Sequence, residues 1–229
     1  MSTGFPQPQA LVFDMDGLLL DTERLARDGF IAACQTVGVT PDLDCYLRTI
    51  GTASPNTRRI LVEGHGDGFP VDAVAEAWNE RFRQREAKGE PLPVKPGAAS
   101  ILGAAARLGL PCALVTSSSD PGAGERLRRV GLLHHFALRI TGDKVTNPKP
   151  HPEPFQRAAA GLGIEPEGCW AFEDSTNGVR SAAAAGMNVF QIPDLVPPEE
   201  ALLRRLGIRV LPDLHAAQRE LEATFAPHR

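Results

Sequence analysis

The chain has few cysteines, and none are spaced as a pair. Cys34, Cys45, Cys112 and Cys169 are scattered, and no CxxC occurs, so they read as reduced, buried thiols and not as a disulfide framework. A basic excess is also missing. With a net charge of −4 and a pI near 5.9, the chain has no footprint for a polyanion, and no nucleic-acid partner is expected. The opening MSTGFPQPQ carries neither a basic region nor an apolar run, and no stretch approaches the length of a membrane span. These absences point to a soluble cytoplasmic protein with no membrane partner. Internal repeats and long low-complexity tracts are lacking too; AAAAG at 182–186 is a helix end. What remains is 229 residues, 42% of them hydrophobic. That is enough for one large domain, or for a core with a smaller insertion.

Short apolar runs recur at Ala10–Phe13, Cys112–Val115, Ala137–Ile140, Trp170–Phe172 and Val189–Ile192. Each is too short for a helix, and several hold β-branched or aromatic residues, so they read as buried strands. Helical patterns lie between them. Gly97–Leu108 opens after Pro96, and Pro121–Val130 starts behind Asp120 as cap. Pro152–Leu162 follows, then Thr176–Ala185, which ends at Gly186 as a left-handed C-cap. The alternation implies a doubly wound parallel sheet with helices on both faces. From about Glu23 to Glu90 no strand is recognisable. There Phe30, Ala33, Cys34 and Val37, and later Val74, Trp78 and Phe82, recur at helical spacing. The expected architecture is α/β, a Rossmann-like core of residues 1–20 and 92–229 with a helical insertion at 21–91.

In such sheets ligands bind beyond the carboxyl ends of the strands. Asp14 and Asp16 follow the first strand, Thr116 to Ser119 the second, and Glu173 and Asp174 the run at Trp170–Phe172. Lys149 sits among prolines in NPKPHP, just before a helix. Taken singly, each is ordinary: an aspartate turn, a capped hydroxyl loop, a surface lysine, a helix start capped by Ser175 or Thr176. Together they place four carboxylates, hydroxyls and one lysine on one sheet edge. Two like charges about 4 Å apart repel by about 4 kcal/mol at an effective dielectric near 20, so the cluster calls for a cation. All the donors are oxygens, which favours a hard ion such as Mg²⁺ that shares its shell with a substrate phosphate.

FDMDGLLLDTE (13–23), LVTSSS (114–119), NPKPHP (147–152) and FEDSTNGVRSAAAAGM (172–187) resemble the four ordered motifs of the haloacid dehalogenase-like hydrolase superfamily. The helical insertion after the first motif resembles the cap of its β-phosphoglucomutase and phosphoglycolate-phosphatase-like branch. The resemblance implies a Mg²⁺-dependent phosphatase acting on a small phosphorylated metabolite, a sugar phosphate or a nucleotide monophosphate. Asp14 matches the nucleophile that forms an aspartyl-phosphate, and Asp16 the general acid/base. Thr116, with the Ser117 amide, and Lys149 match the residues that hold the phosphoryl group. Asp174, Asp14 and the backbone carbonyl of Asp16 match the Mg²⁺ ligands, while Glu173 either ligates the ion or holds its water.

Rival activities are weighed on the same residues. Halide loss needs no proton, so Asp16 argues against a dehalogenase. The segment Glu23–Gly51 contains no lysine, which argues against Schiff-base phosphonate hydrolysis. A β-phosphoglucomutase resembles the chain more closely, but its cap histidine falls on Ala26, and RTIGTASP (48–55) lacks its paired basic residues at the matching positions. A phospho-acceptor receiver domain combines similar groups, but in about half this length and without an insertion. Arg24, Arg27, Arg58 and Arg59 read as solvated helix faces, with contact to an anionic substrate as the other possibility. His65 in GHGDG reads as a loop residue.

Overall fold

The structure is a computed structural model that describes residues 4–52 and 54–226. Its sheet is built from β1 (Ala10–Phe13), β2 (Cys112–Val115), β3 (Phe136–Ile140), β4 (Cys169–Glu173), β5 (Asn188–Gln191) and β6 (Arg209–Val210). The six strands are parallel and run in the order β3-β2-β1-β4-β5-β6. The central strands are continuous apolar runs because both faces are covered. Alternation along β1 sends Leu11 and Phe13 into one core layer and Ala10 and Val12 into the other.

The first layer is aromatic. Phe13 stacks on Phe172 at 4.9 Å between ring centroids, and Phe172 on Phe190 at 5.3 Å. Helices α5 (Ala98–Arg107), α6 (Asp120–Arg129) and α10 (Leu214–Phe225) cover this layer. The opposite layer holds small and β-branched residues under α7 (Glu153–Leu162) and α8 (Thr176–Ala184).

Between β1 and α5 lie α1 (Thr22–Val37), α2 (Leu43–Leu47), α3 (Ser54–His65) and α4 (Val71–Ala87). They enclose a cluster of their own around Phe30, Cys34, Tyr46, Leu61 and Val74. The two chain passages joining these helices to the sheet run side by side. Asp21 N–H donates to Pro93 O at 2.9 Å, and Lys95 N–H to Leu19 O at 2.9 Å. Among the described residues no helix is long and apolar enough to cross a membrane. The four cysteines are free and buried, and burial raises the Cys34 and Cys169 thiols to about 11.

Several local expectations need correction. Helix α6 begins at Asp120 and its cap position is Ser119, while the Asp120 carboxylate accepts from Lys144 Nζ at 2.7 Å. The two candidates are adjacent, and Pro121 fits the first turn with either as cap. His65 closes α3 instead of lying in a loop; its Nδ1 stands 3.0 Å from Leu61 O, and its Nε2 accepts from the Asp42 amide at 3.1 Å. Strand β6 and helices α9 (Glu200–Leu206) and α10 extend the sheet side beyond the five strands expected. Gly186 does end α8 in a left-handed conformation, φ 90°.

Candidate active site

The chain runs outward from β1 to β2 and β3, then returns to place β4 on the other side of β1. The carboxyl ends of β1 and β4 therefore flank the point where strand order reverses, where an open parallel sheet leaves a crevice. Asp14 leaves β1 there, its amide donating to Phe172 O at 3.1 Å. Glu173 ends β4 and Asp174 follows it. Oxygens of Asp14, Glu173 and Asp174 lie within 4.8 Å of one another, and all three residues are buried.

Lys149 enters the cluster from the loop before α7, itself buried. Its Nζ donates to Asp14 Oδ1 at 2.6 Å, to Glu173 Oε1 at 2.5 Å and to Val115 O at 2.9 Å. Three acceptors use all three ammonium protons. Burial alone would lower the Lys149 pKa, but the Asp14 and Glu173 charges reverse this and raise it, so the lysine stays charged. The second Glu173 oxygen accepts from the amides of Asp174 and Ser175 at 3.1 and 3.3 Å, and from Ser175 Oγ at 3.1 Å. Ser175 also caps α8 through Gly178 N–H at 3.1 Å. Glu173 thus ties the lysine to the turn that carries Asp174.

One lysine does not balance three buried carboxylates. Burial, reinforced by Glu173 and Asp16 against the pull of Lys149, pushes Asp14 up to about 8. Burial, then the charges of Glu173, Asp14 and Glu23, raises Asp174 well above the usual carboxylate range. No hydrogen-bond donor among the described residues reaches the Asp174 carboxylate. An oxygen-only set with surplus negative charge and an unclaimed carboxylate fits a hard divalent cation. Gly17 keeps this space open: its φ is +85°, and a β-carbon there would stand 2.2 Å from Asp174 Oδ2.

Asp16 faces the same crevice with different partners. Its Oδ1 accepts from Thr22 Oγ1 at 2.6 Å and from Arg126 Nη1 at 2.8 Å, and its Oδ2 from Ser118 Oγ at 2.9 Å. Thr116, buried at the end of β2, accepts the Ser118 amide on its Oγ1 at 3.1 Å. Ser117 Oγ donates across to Gly51 O at 3.4 Å. These groups line a cavity of about 860 Å³ whose far wall comes from the inserted helices, with Ala26, Arg58, Trp78, Asn79 and Phe82.

The residues expected at one edge therefore do meet, and further residues join them. Thr22 stands inside the first motif, and Ser118 beside Thr116 in the hydroxyl run. Arg126 lies ten residues beyond Thr116 on a charged helix face and carries no signal in the sequence. Glu23 also lines the cavity, its pKa pushed up to about 8 by burial and by the charges of Asp16 and Asp14. Of the arginines weighed above, Arg58 reaches the cavity, though its guanidinium is paired with Asp72. Arg59 pairs with Glu63, Arg27 with Asp28, and Arg24 with Asp21 and Asp194.

A Rossmann-like parallel sheet with buried carboxylates and a lysine at its switch point defines an α/β protein whose site suits a cation and a phosphoryl group. The chain belongs to the haloacid dehalogenase-like hydrolase family, whose profile matches residues 8–186, and is a phosphoric monoester hydrolase of that family. It is 35% identical over 189 residues to the putative phosphatase YhcW of Bacillus subtilis, covering 82% of this chain and 84% of that one. It is 32% identical over 181 residues to a phosphorylated carbohydrates phosphatase of Thermotoga maritima, covering 78% and 82%. The crystal structure of CbbY from Rhodobacter sphaeroides in complex with phosphate superposes with a TM-score of 0.73 at 29% identity, covering 91% of this chain and 95% of that one.

Proposed function

We propose that the protein is a Mg²⁺-dependent phosphatase of small phosphorylated metabolites, with phosphorylated sugars the favoured class. The observation that carries this reading is Lys149 bridging Asp14 and Glu173 beside the unclaimed carboxylate of Asp174. The sugar class is supported by the relative that acts on phosphorylated carbohydrates. Residues 21–91 act as a cap over the core of residues 1–20 and 92–229, and their helices supply the cavity's far wall.

Asp14 is the nucleophile. Lys149 fixes its Oδ1, so the carboxylate is oriented before substrate arrives. Attack on phosphorus forms an acyl phosphate as the ester P–O bond breaks, which divides one difficult displacement into two. Asp16 gives a proton to the departing alkoxide, then takes one from the water that cleaves the intermediate. Thr116 and the Ser117 amide hold the phosphoryl oxygens through both steps, and Lys149 supplies positive charge beside them. Asp14, Asp174 and the Asp16 backbone carbonyl would hold Mg²⁺, with Glu173 anchoring Lys149 and the Asp174 turn. When bound, the ion neutralises carboxylate charge and charge developing on the phosphoryl group.

The test is release of inorganic phosphate from a panel of sugar phosphates and nucleotide monophosphates, with Mg²⁺ and with excess chelator. Hydrolysis unchanged in chelator would overturn the metal assignment. Asp14→Asn should abolish turnover, while Asp16→Asn should slow it by roughly 10²–10⁴-fold. Near-normal turnover by Asp14→Asn would remove the assigned nucleophile.

A further inference from the structure

We propose that Arg126 is a positioning residue that fixes which oxygen of Asp16 exchanges the proton; this rests on the phosphatase reading above. Three donors surround the Asp16 carboxylate, and they are not equivalent. Oδ1 takes two, Thr22 Oγ1 and Arg126 Nη1, whereas Oδ2 takes one, Ser118 Oγ. A hydroxyl can rotate and accept in place of donating, but a guanidinium has donors only and stays charged. Whatever Thr22 and Ser118 do, the Arg126 contact keeps Oδ1 an acceptor. The proton that leaves with the alcohol must therefore ride on Oδ2, where Ser118 Oγ can turn from hydrogen-bond donor to acceptor.

The helix explains how an arginine so distant in sequence arrives here. Ser119 stands at the cap of α6, directly after the β2 loop, so the start of the helix faces the site. Side chains on a helix lean toward its N-terminus. Arg126 follows that lean, its Nε donating to Gly122 O one turn back at 3.2 Å. The guanidinium is thereby stapled to α6 and aimed at the crevice, with 22% of the side chain exposed. Among the described residues, Arg126 and Arg58 are the two lysines or arginines lining the cavity. Arg58 pairs with Asp72 on the inserted helices, and Arg126 is the one of the two that contacts Asp16. In the first step the Oδ2–H bond breaks as the alcohol O–H forms, while the ester P–O bond gives way to the Asp14 O–P bond. Nothing beyond substrate and water is consumed.

The readout is dependence on the leaving group, because a poor leaving group needs the proton and a good one does not. We would compare kcat/KM for p-nitrophenyl phosphate and phenyl phosphate, with Mg²⁺, in the full chain and in Arg126→Met and Arg126→Lys. Phenyl phosphate should lose about tenfold more than p-nitrophenyl phosphate in Arg126→Met, a part of the 10²–10⁴-fold typical of a whole general acid. Arg126→Lys keeps the charge and should restore much of that difference. Equal losses on both substrates, or no loss, would overturn the inference, since a structural role or simple phosphate binding affects both alike. If Arg126→Met does not fold, Arg126→Ala takes its place and the same ratio of the two rates is read, a ratio unchanged from the parent counting against the inference. An unmutated chain that releases phosphate from neither aryl ester would overturn the phosphatase reading and this inference with it.

Discussion

Gly178 faces Glu173 so closely that a β-carbon on it would stand 1.9 Å from the Glu173 Cδ and about as near to both carboxylate oxygens. The first turn of α8 is therefore shaped around the residue that holds Lys149. A glycine there gives up some helix propensity, of order 1 kcal/mol relative to alanine, in return for room at the site.

Gly178→Ala should accordingly behave opposite to its propensity. Glu173 is buried and holds four donors, so it cannot swing aside without releasing Lys149. We expect destabilisation of about 1–3 kcal/mol from overpacking, with kcat falling more than KM changes. Urea denaturation and steady-state kinetics measure the two effects. A more stable variant with unchanged kcat would show that Glu173 is not confined.

The metal-free protein should lose stability as pH rises. Burial lifts Asp14 from 3.8 to about 8 and Glu23 from 4.5 to about 8, and lifts Asp174 in the same direction. The folded chain keeps these protons where the unfolded chain has released them. Between those limits the folded state binds more protons, so stability falls with increasing pH. Burial acts on Lys149 too, but its raised pKa places its contribution above this window. Mg²⁺ binding the folded state should flatten the slope, adding about 2.7 kcal/mol at a hundredfold excess over Kd. Melting curves in chelator and in Mg²⁺ across this window test it. Asp174→Asn should raise the metal-free Tm at the alkaline end and erase the Mg²⁺ shift. A chelated protein whose Tm rises with pH would contradict the assignment.

Much of this arrangement is legible in the sequence, for a physical reason. Strands buried on both faces must be continuous apolar runs, so β1 and β2 stand out to the residue. Chemistry follows such strands directly, so Asp14, Thr116, Glu173 and Asp174 can be found by reading past their ends. Strand β6 has two residues, Arg209 and Val210, neither of them buried, and leaves no such trace. Arg126 reaches Asp16 across 110 positions. Its local pattern is that of any solvated helix, because the helix's lean, not its composition, brings it to the site.

Asp194 joins the two passages that lead to the inserted helices. Its side chain is 1% exposed, and its Oδ1 accepts from Arg24 Nη1 at 2.5 Å and Lys95 Nζ at 2.8 Å. Arg24 stands in the first turn of α1 on one passage, and Lys95 stands on the other. Asp194→Ala should cost about 1–3 kcal/mol, less than a fully buried pair because Arg24 is 43% exposed. Loss of the tie should also speed limited proteolysis near residues 18–22 and 88–95 and raise KM. Unchanged cleavage rates and KM would show that the pairing does not restrain the inserted helices.

The last prediction is hydrolysis without isomerisation. Both outcomes begin with the same phosphorylated Asp14, so the groups that make it do not decide between them. A mutase must hold a sugar-phosphate hydroxyl in line and exclude water. The cavity wall here offers Ala26, a methyl with no hydrogen bond to give, and its Arg58 is held by Asp72. With about 860 Å³ of space beside the intermediate, water has access to it. Incubation with Mg²⁺, β-glucose 1-phosphate and a trace of the 1,6-bisphosphate should therefore give, at most, free phosphate and no build-up of glucose 6-phosphate. Glucose 6-phosphate formed without matching phosphate release would mean that the inserted helices bind a sugar phosphate tightly enough to outcompete water, and the protein would then be a mutase.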